Sequence, residues 1–325
     1  MKRVMLSLLL CLCVLVGASQ EARRFRFLSW NVENLFDTLH DEGHDDQQFL
    51  PDGEYRWDSH RYWRKQGNLA RIILEACELQ PVDIVGLYEV ENDSVVHDLI
   101  RRTRLAHLGY DYVMTESRDL RGVDVALLYQ PATFRLLSAT PHRITYNAEQ
   151  ERPTRDILHC SGVMPRGDTL DVVLVHFPSR RGGVKASEPY RLRAATIVRH
   201  IIDSLHAVRR QPSVVVMGDC NDEPRNKSIR LMAGDDMKVM TSNPAHPKNI
   251  FGTYYYQHAW SQIDNMLVSA GAVTRYKIDS CAIFAPKPLL EYDADGFPFP
   301  CRTYRGPSYH GGISDHLPLI LDLWY

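Results

Sequence analysis

Polar side chains that could do chemistry recur in this sequence directly after short apolar runs. They are Asn31, Glu89, His176, the pair Asp219 and Asn221, Asp264, and the neighbours Asp315 and His316. Strand ends are where a sheet-based enzyme displays its functional groups, so we expect these side chains to form one site. Burying so many carboxylates and imidazoles is costly unless each is paired or coordinates a metal. The pattern therefore predicts a shared cation.

The ligand types narrow the choice of metal. Carboxylate and amide oxygens dominate the set, and the cysteines show no zinc-site spacing. Hard oxygen ligands favour Mg²⁺, with Mn²⁺ or Ca²⁺ as alternatives, over zinc. Phosphoryl transfer needs neutralised nonbridging oxygens, an oriented water and a stabilised leaving oxygen. This set of residues could supply all three.

The elements that must position these residues follow from the apolar pattern. RFRFLSW, residues 24–30, alternates as a strand that ends at Asn31. Helices are predicted over residues 61–79, 93–108 and 188–208. Strands are predicted over residues 83–90, 110–114, 123–129, 134–139, 157–163, 170–177, 213–217, 262–268 and 317–323. Closely spaced strands pair antiparallel, so two packed sheets with helices on their outer faces are expected. A single domain, residues 20–325, is favoured, with residues 286–312 as a long functional or surface loop.

Seven segments of the chain resemble, in order, the signature blocks of the endonuclease/exonuclease/phosphatase superfamily, whose fold is like that of deoxyribonuclease I. They are FLSWNVENLFD, DIVGLYEVEN, RGVDVALLY, VHFPSRRGG, VVVMGDCNDEP, WSQIDNMLVS and ISDHLPLILDL. Any one block would be weak evidence, but together they cover nearly the whole mature chain. The resemblance implies an α/β fold, a four-layer α/β sandwich of two mixed sheets with outer helices. It also implies metal-dependent hydrolysis of phosphoester bonds.

The resemblance assigns metal ligands residue by residue. Glu89 resembles the principal metal carboxylate of the family, Asn31 its neighbour, and Asp315 a further metal carboxylate. Asp219 resembles the group that orients or activates the attacking water. Asn221 resembles a phosphate or metal contact.

Two histidines also match the family's catalytic positions. His316 resembles the catalytic histidine and Asp264 its orienting carboxylate, a pairing that holds one tautomer and raises basicity. His176 resembles the second histidine, which contacts a phosphate oxygen or helps to protonate the leaving group. Which histidine acts as acid or base stays open.

Several further residues have both a functional and a structural interpretation. Arg180, Arg181 and Arg121 could bind substrate phosphate, since a guanidinium forks onto phosphate oxygens, or could be solvated. Glu91 could lie on the same side of the site as Glu89, although a solvated carboxylate is favoured. Tyr254, Tyr255, Tyr256 and Trp260 could form an aromatic wall, although packing at a sheet edge is favoured.

The N-terminus predicts export. Lys2 and Arg3 precede an apolar stretch and small residues that end near Ser19, which is the layout of a secretory signal peptide rather than of a membrane span. A soluble periplasmic or secreted protein is expected. Its formal charge would change from −2 to −4, so it has no global basic field for DNA. In an oxidising compartment Cys281 and Cys301 could pair, on weak evidence.

Substrate class is less constrained than reaction class. GDCNDEP and SQIDNMLV lack the continuations typical of inositol-polyphosphate phosphatases. The leading hypothesis is an endonuclease-like nuclease, which should carry a basic and aromatic groove. The alternative is a phosphodiesterase or phosphatase acting on a lipid headgroup or small phosphoester; a lipid enzyme should expose an apolar loop, for which residues 297–300 qualify. A third hypothesis is a non-catalytic binding protein. Protein partners are not predicted.

Overall fold

Two mixed β-sheets, packed face to face, form the centre of the molecule. The computed structural model describes residues 22–146 and 153–325, so the expected signal peptide, residues 1–19, lies outside the described residues. In chain order the strands are β1 Arg24–Leu35, β2 Ile84–Val90, β3 Asp111–Met114, β4 Asp124–Tyr129, β5 Arg135–His142, β6 Ile157–Val163, β7 Thr169–His176, β8 Ser213–Asp219, β9 Met237–Val239, β10 Tyr254–Tyr256, β11 Ala259–Ser261, β12 Asp264–Ser269, β13 Lys277–Ile278, β14 Ala282–Ile283, β15 Leu290–Tyr292, β16 Pro298–Pro300, β17 Tyr304–Arg305, β18 Ser308–Tyr309 and β19 Leu319–Trp324. The α-helices are α1 Ser59–Cys77, α2 Asp93–Arg101, α3 Val184–Val208, α4 Lys227–Ala233 and α5 Ala270–Arg275.

The order of strands brings the predicted site residues to one edge of each sheet. The first sheet runs β13-β19-β1-β2-β4-β3, with β14 also paired to β19, and the second runs β5-β6-β7-β8-β12-β9. Strands β1 and β2 are parallel, as are β7 and β8, whereas the other neighbours in these two sheets are antiparallel. Because parallel neighbours end at the same edge, β1 and β2 deliver Asn31 and Glu89 together. Strands β7 and β8 do the same for His176 and Asp219.

Side-chain alternation divides the apolar residues into layers. On β7 and β8 the inner set packs toward the first sheet, and it comprises Val172, Leu174, Val215 and Met217. The outer set, Val173, Val175, Val214 and Val216, packs with α3 through Ala194, Val198 and Ile201. On the other side of the molecule, α1 buries Leu69, Ile72, Ile73 and Ala76. The predicted four-layer sandwich is confirmed.

Most predicted elements are present, with differences at their ends. Helix α2 ends at Arg101, and the rest of its predicted span is a 3₁₀ turn at Arg104–Leu108. Residues 286–312 are not one continuous loop, because they contain two short hairpins, β15 with β16 and β17 with β18. The expected pairing of Cys281 with Cys301 is wrong, since all five cysteines in the described ranges are free thiols. No described helix is long and apolar enough to cross a bilayer.

A buried tyrosine hydroxyl joins the two sheets. Tyr88 on β2 donates to the carbonyl oxygen of Met217 on β8 at 3.0 Å and shares a 3.0 Å hydrogen bond with the Ser29 hydroxyl. Space for the ring comes from Gly86, where an added Cβ would lie 2.8 Å from the Tyr88 oxygen and from the end of Met217. The polar bridge is satisfied on both sides, so its burial is tolerated.

We expect Tyr88→Phe to lower the free energy of unfolding by about 1–3 kcal/mol, because it leaves the buried Ser29 hydroxyl without its partner. Urea unfolding measures the change. The matched control is Tyr112→Phe, whose hydroxyl bonds Asp93 at the surface and whose loss should cost far less. Equal effects of the two substitutions would contradict the bridging role.

Candidate active site

The pairing of three neighbouring strands places three predicted catalytic side chains in a row. His176, the last residue of β7, pairs with Asp219, the last residue of β8. Asp219 pairs in turn with Asp264, the first residue of β12. Residues opposite each other in adjacent strands project to the same face, so the row forms one continuous surface. All three side chains are buried.

His316 completes this row from the first sheet's side of the molecule. Its Nδ1 lies 2.8 Å from Oδ2 of Asp264, and its Nε2 lies 3.9 Å from Oδ2 of Asp219. The Thr253 hydroxyl donates to the same oxygen of Asp264 at 2.5 Å. The Asp264 carboxylate therefore orients the His316 ring, as the resemblance implied. The ring's Nε2 faces Asp219.

The first sheet supplies Asn31 and Glu89. Asn31 Nδ2 donates to Asp219 Oδ2 at 3.0 Å, so it joins the two sheets within the site. Its amide oxygen accepts from the backbone N–H of Glu33. Glu89 has φ +65°, which is uncommon for a residue other than glycine, and its Oε1 lies 3.8 Å from His176 Nε2. This backbone turn directs Glu89 to the row on the second sheet.

These residues lie at the floor of a cleft with a volume of about 910 Å³. Its described lining includes Glu89, His176, Asp219, Asn221, Asp315 and His316, the arginines 121, 155, 180 and 181, and Tyr254 and Tyr256. Asp264 is behind His316. The structure thus brings every predicted catalytic and substrate-binding residue either into the cleft or directly beneath its floor.

The two histidines are in opposite electrostatic surroundings. Burial lowers the pKa of His176 well below its ordinary value, and the charges of Arg155, Arg121 and His316 act in the same direction. The neutral imidazole that results donates a hydrogen bond from one ring nitrogen and accepts one at the other.

His316 is held in the cationic form. Burial opposes its charge, but Asp264, Asp219 and Asp315 together raise the pKa of this imidazole well above its ordinary value. In this state both ring nitrogens carry protons, so Nε2–H can donate toward the cleft.

The carboxylates are also differentiated. Burial and the nearby charge of Asp264 raise the pKa of Asp219 to about 7. Burial also disfavours the charge of Glu89, but Arg121, His316 and Arg155 outweigh it and lower the pKa of that carboxyl. The surroundings therefore favour the ionised form of Glu89 and the protonated form of Asp219.

The donor set fits a divalent cation. Asp219, Asp264 and His316 each place a potential ligand atom within 4.8 Å of the others. Asp264 Oδ1 is buried and has no hydrogen-bond partner within the described ranges. His316 Nδ1 already bonds Asp264, so a cation at the cleft would draw on carboxylate oxygens, and Glu89 is the carboxylate that the resemblance assigns to it. A cation there would supply charge neutralisation and Lewis acidity at the phosphate.

Two of the predicted metal ligands are already engaged. The Asn31 amide oxygen accepts the Glu33 N–H, as given above, and Asp315 forms a 2.6 Å ion pair with Arg302. Asp315 lines the cleft, but this arginine neutralises it. Glu89, the third predicted ligand, also has partners, since its Oε2 accepts the Asn34 N–H at 3.0 Å and its Oε1 lies 3.6 Å from Arg121.

The predicted substrate arginines differ in their availability. Arg180 donates from Nε to the Asn221 carbonyl at 2.7 Å, and its guanidinium lies 3.7 Å from both Asp222 and Glu223. Arg181 is exposed at the rim. Arg121 lies 3.6 Å from Glu89 Oε1. Arg180 and Arg121 thus both lie near carboxylates, whereas Arg181 is exposed at the edge of the cleft.

The sequence did not single out several residues that support the site. Asp119 and Arg155 line the cleft as a 3.0 Å ion pair. Glu33 is buried beside Asn31, bonds the Thr303 N–H, and has its pKa raised to about 7, first by burial and then by Asp315. A polar residue two positions beyond Asn31 was the available signal for Glu33. Asp119 and Arg155 carry no such signal, because they meet only through the fold.

Other interpretations are resolved by the structure. Glu91 is neither solvated nor in the cleft, because it is buried and accepts the Asp37 N–H at 2.6 Å.

The aromatic hairpin serves both proposed roles on alternate faces. Tyr254 lies 4.8 Å from the His316 ring, centroid to centroid, and lines the cleft with Tyr256. Tyr255 and Trp260 pack together on the opposite face, against Phe299.

A four-layer sandwich with this site at its strand ends defines a hydrolase of phosphoester bonds. A model of the Endonuclease/Exonuclease/phosphatase family matches residues 27–324, and the chain belongs to that family. No curated protein sequence shows significant similarity to it.

Several solved structures share the fold. A mannosyl-6-phosphatase from Bacteroides thetaiotaomicron is 16% identical, with 93% of this chain and 100% of that chain covered and a TM-score of 0.62. A family protein from the same organism is 14% identical, with 94% and 99% covered and a TM-score of 0.61. The human nocturnin catalytic domain with bound sulfate is 17% identical, with 93% and 96% covered and a TM-score of 0.56.

Glu89→Gln should weaken divalent-cation binding by at least about tenfold, because it removes the ionised ligand while preserving side-chain volume. Titration calorimetry with Mn²⁺ measures the dissociation constant. Asp236→Asn is the control, since this carboxylate pairs with Arg199 outside the cleft. If Glu89→Gln binds Mn²⁺ as tightly as the parent protein, the metal centre is elsewhere.

Proposed function

We propose that the protein is a divalent-metal-dependent hydrolase, served best by Mg²⁺, that cleaves a phosphoester bond in the cleft above Glu89 and Asp219. The observation that supports this most directly is the row of His176, Asp219 and Asp264 on three adjacent strands, completed by His316. A non-catalytic binding protein would not need a site in which the pKa of Asp219 is raised and that of Glu89 lowered, and in which the pKa values of His176 and His316 are shifted in opposite directions. Such divergence is typical of acid–base sites.

The residues divide the reaction among them. Asp219 orients the water that attacks phosphorus and accepts its proton. Cationic His316, held through Nδ1 by Asp264, donates a hydrogen bond from Nε2 to the phosphoryl oxygen that gains charge. Neutral His176 contacts another phosphate oxygen across the cleft from it. Asn221 is held by its own side-chain bond to the Phe177 carbonyl at 3.1 Å, which fixes its place at the cleft wall.

The cleft favours a small phosphoester over a long polynucleotide. The arginines at positions 121, 155 and 180 each contact a carboxylate, so they do not form the continuous uncompensated basic groove that the nuclease hypothesis requires. The lipid hypothesis loses support as well. In the segment 297–300 only Phe297 is largely exposed, at 52%, while both prolines are buried in a hairpin.

We expect Asp219→Asn to lower kcat about 10²- to 10⁴-fold with little change in melting temperature, because it removes proton transfer rather than core volume. Release of 4-nitrophenol from a chromogenic phosphoester measures turnover. A chelator should abolish the parent activity, and Mg²⁺ or Mn²⁺ should restore it. Asp171→Asn is the matched control, a buried carboxylate paired with Arg209 outside the cleft. Activity that survives a strong chelator would refute metal dependence.

Supercoiled plasmid distinguishes the two substrate classes. Little or no nicking is expected from preparations that hydrolyse the chromogenic ester. Efficient nicking by the parent protein, absent in Asp219→Asn, would instead restore the nuclease hypothesis.

We propose export to the periplasm or medium, supported by the basic, apolar and small-residue order of the first 19 positions. Expression of the full chain in a Gram-negative bacterium should yield a periplasmic product whose intact mass corresponds to cleavage near Ser19. The control is a variant with the apolar stretch interrupted by two arginines, which should stay unprocessed in the cytoplasm. Uncleaved parent protein in the cytoplasm would contradict export.

A further inference from the structure

Asp119 is a buried carboxylate that holds two guanidinium groups at the cleft wall. It is only 5% exposed, and its Oδ2 lies 3.0 Å from Arg155 Nη1. Its Oδ1 lies 3.7 Å from Arg121 Nε and accepts the backbone N–H of Arg121 at 3.1 Å. One acidic side chain thus fixes both the loop that carries Arg121 and the side chain of Arg155.

Arg155 is built into the catalytic wall rather than placed on the surface. Its side chain is 7% exposed, and Nη2 donates to the Phe177 carbonyl at 2.8 Å. That carbonyl also accepts from Asn221 Nδ2 at 3.1 Å, and the Phe177 N–H donates to the Asp219 carbonyl at 2.9 Å. Arg155 is therefore tied by one hydrogen bond to the Phe177 carbonyl, and Phe177 is in turn hydrogen-bonded to both Asp219 and Asn221. Its buried Nε has no partner within the described ranges.

Two guanidinium groups share one carboxylate in this part of the wall, because Asp119 lies against both Arg121 and Arg155. Asp119 balances one guanidinium, and Arg121 lies 3.6 Å from Glu89, whose carboxylate is also the proposed metal ligand. Such a wall favours the substrate with the greater local negative charge.

A phosphomonoester meets that requirement and an internal phosphodiester does not. The monoester carries close to two negative charges at neutral pH and has three nonbridging oxygens, whereas the diester carries one charge and has two. In the proposed mechanism His316 contacts one of these oxygens and His176 contacts another. The third requires a further donor, and a fixed guanidinium is suited to it.

We propose that Asp119, Arg121 and Arg155 form a guanidinium clamp for the third nonbridging oxygen of a terminal phosphate, and that the enzyme is a phosphomonoesterase. This inference rests on the proposed hydrolytic function. In the reaction Asp219 takes a proton from water, the water oxygen forms a bond to phosphorus, and the ester P–O bond breaks. The leaving alkoxide takes a proton from solvent, Asp219 returns its proton to solvent, and the products are inorganic phosphate and an alcohol. Arg121 meets the phosphate, and Asp119 is a positioning residue that acts through both arginines.

Paired substrates with the same leaving group test the clamp. For the parent protein with Mn²⁺, kcat/KM for 4-nitrophenyl phosphate should exceed that for bis(4-nitrophenyl) phosphate by about tenfold or more, the factor expected of one charge-assisted hydrogen bond. Asp119→Asn should lower kcat/KM for the monoester about tenfold, mainly through KM. It should change the diester value less than about threefold. Asp119→Glu should recover part of the monoester preference.

Controls separate the clamp from folding and from the proposed function. Asp171→Asn should leave the ratio of the two kcat/KM values unchanged, and Arg155→Lys provides a second clamp variant if Asp119→Asn does not fold. A parent protein without monoester preference, or a folded Asp119→Asn with an unchanged ratio, overturns the clamp while leaving hydrolysis intact. If neither ester is hydrolysed in a chelator-sensitive way, the proposed function fails. Calorimetry with inorganic phosphate then tests the clamp by itself, since Asp119→Asn should bind phosphate at least about tenfold more weakly than the parent.

Discussion

The cost of burying ionisable groups where two sheets meet governs the organisation of this protein. Asp219, Asp264, His176 and His316 are all nearly inaccessible to solvent. Such groups are retained only where hydrogen bonds or opposite charges replace the water they lose. Thr253 and His316 bond Asp264, and Asn31 bonds Asp219. Each partner comes from a different segment of the chain, so the site exists only when the whole sandwich is assembled.

The interface between the sheets is therefore part of the site. Asn31 on β1 reaches Asp219 on β8, and one strand away Tyr88 on β2 reaches the Met217 carbonyl on the same β8. These two polar bridges and the hydrogen bond between His316 and Asp264 join the sheets close to the cleft. The same packing brings Glu89 Oε1 to 3.8 Å from His176 Nε2. Packing of the sandwich and geometry of the cleft are consequently one constraint.

The sequence predicted what depends on local periodicity and could not predict what depends on distant loops. An apolar run followed by a polar residue is a local signal, and it located Asn31, Glu89 and Asp219. The predicted end of the first strand at Asn31 is wrong, because β1 continues to Leu35. Arg155 and Asp119 meet across 36 positions, with no periodic pattern at either one. The hairpin at residues 254–261 is a second case in which the sequence was not sufficient. Alternation was present, but only the structure tells which face, that of Tyr254 or that of Tyr255, meets the cleft.

The two histidines show how one residue type acquires two roles from its neighbours. Carboxylates surround His316 and keep it charged, whereas arginines and burial keep His176 neutral. The same arginines lower the pKa of Glu89, so the wall that makes His176 a neutral hydrogen-bond partner also makes Glu89 an ionised ligand. A phosphate lying between the two imidazoles would meet a cationic donor on one side and a neutral one on the other. The two sides of the cleft therefore differ in charge, and a phosphate oxygen on the His316 side would be stabilised more strongly.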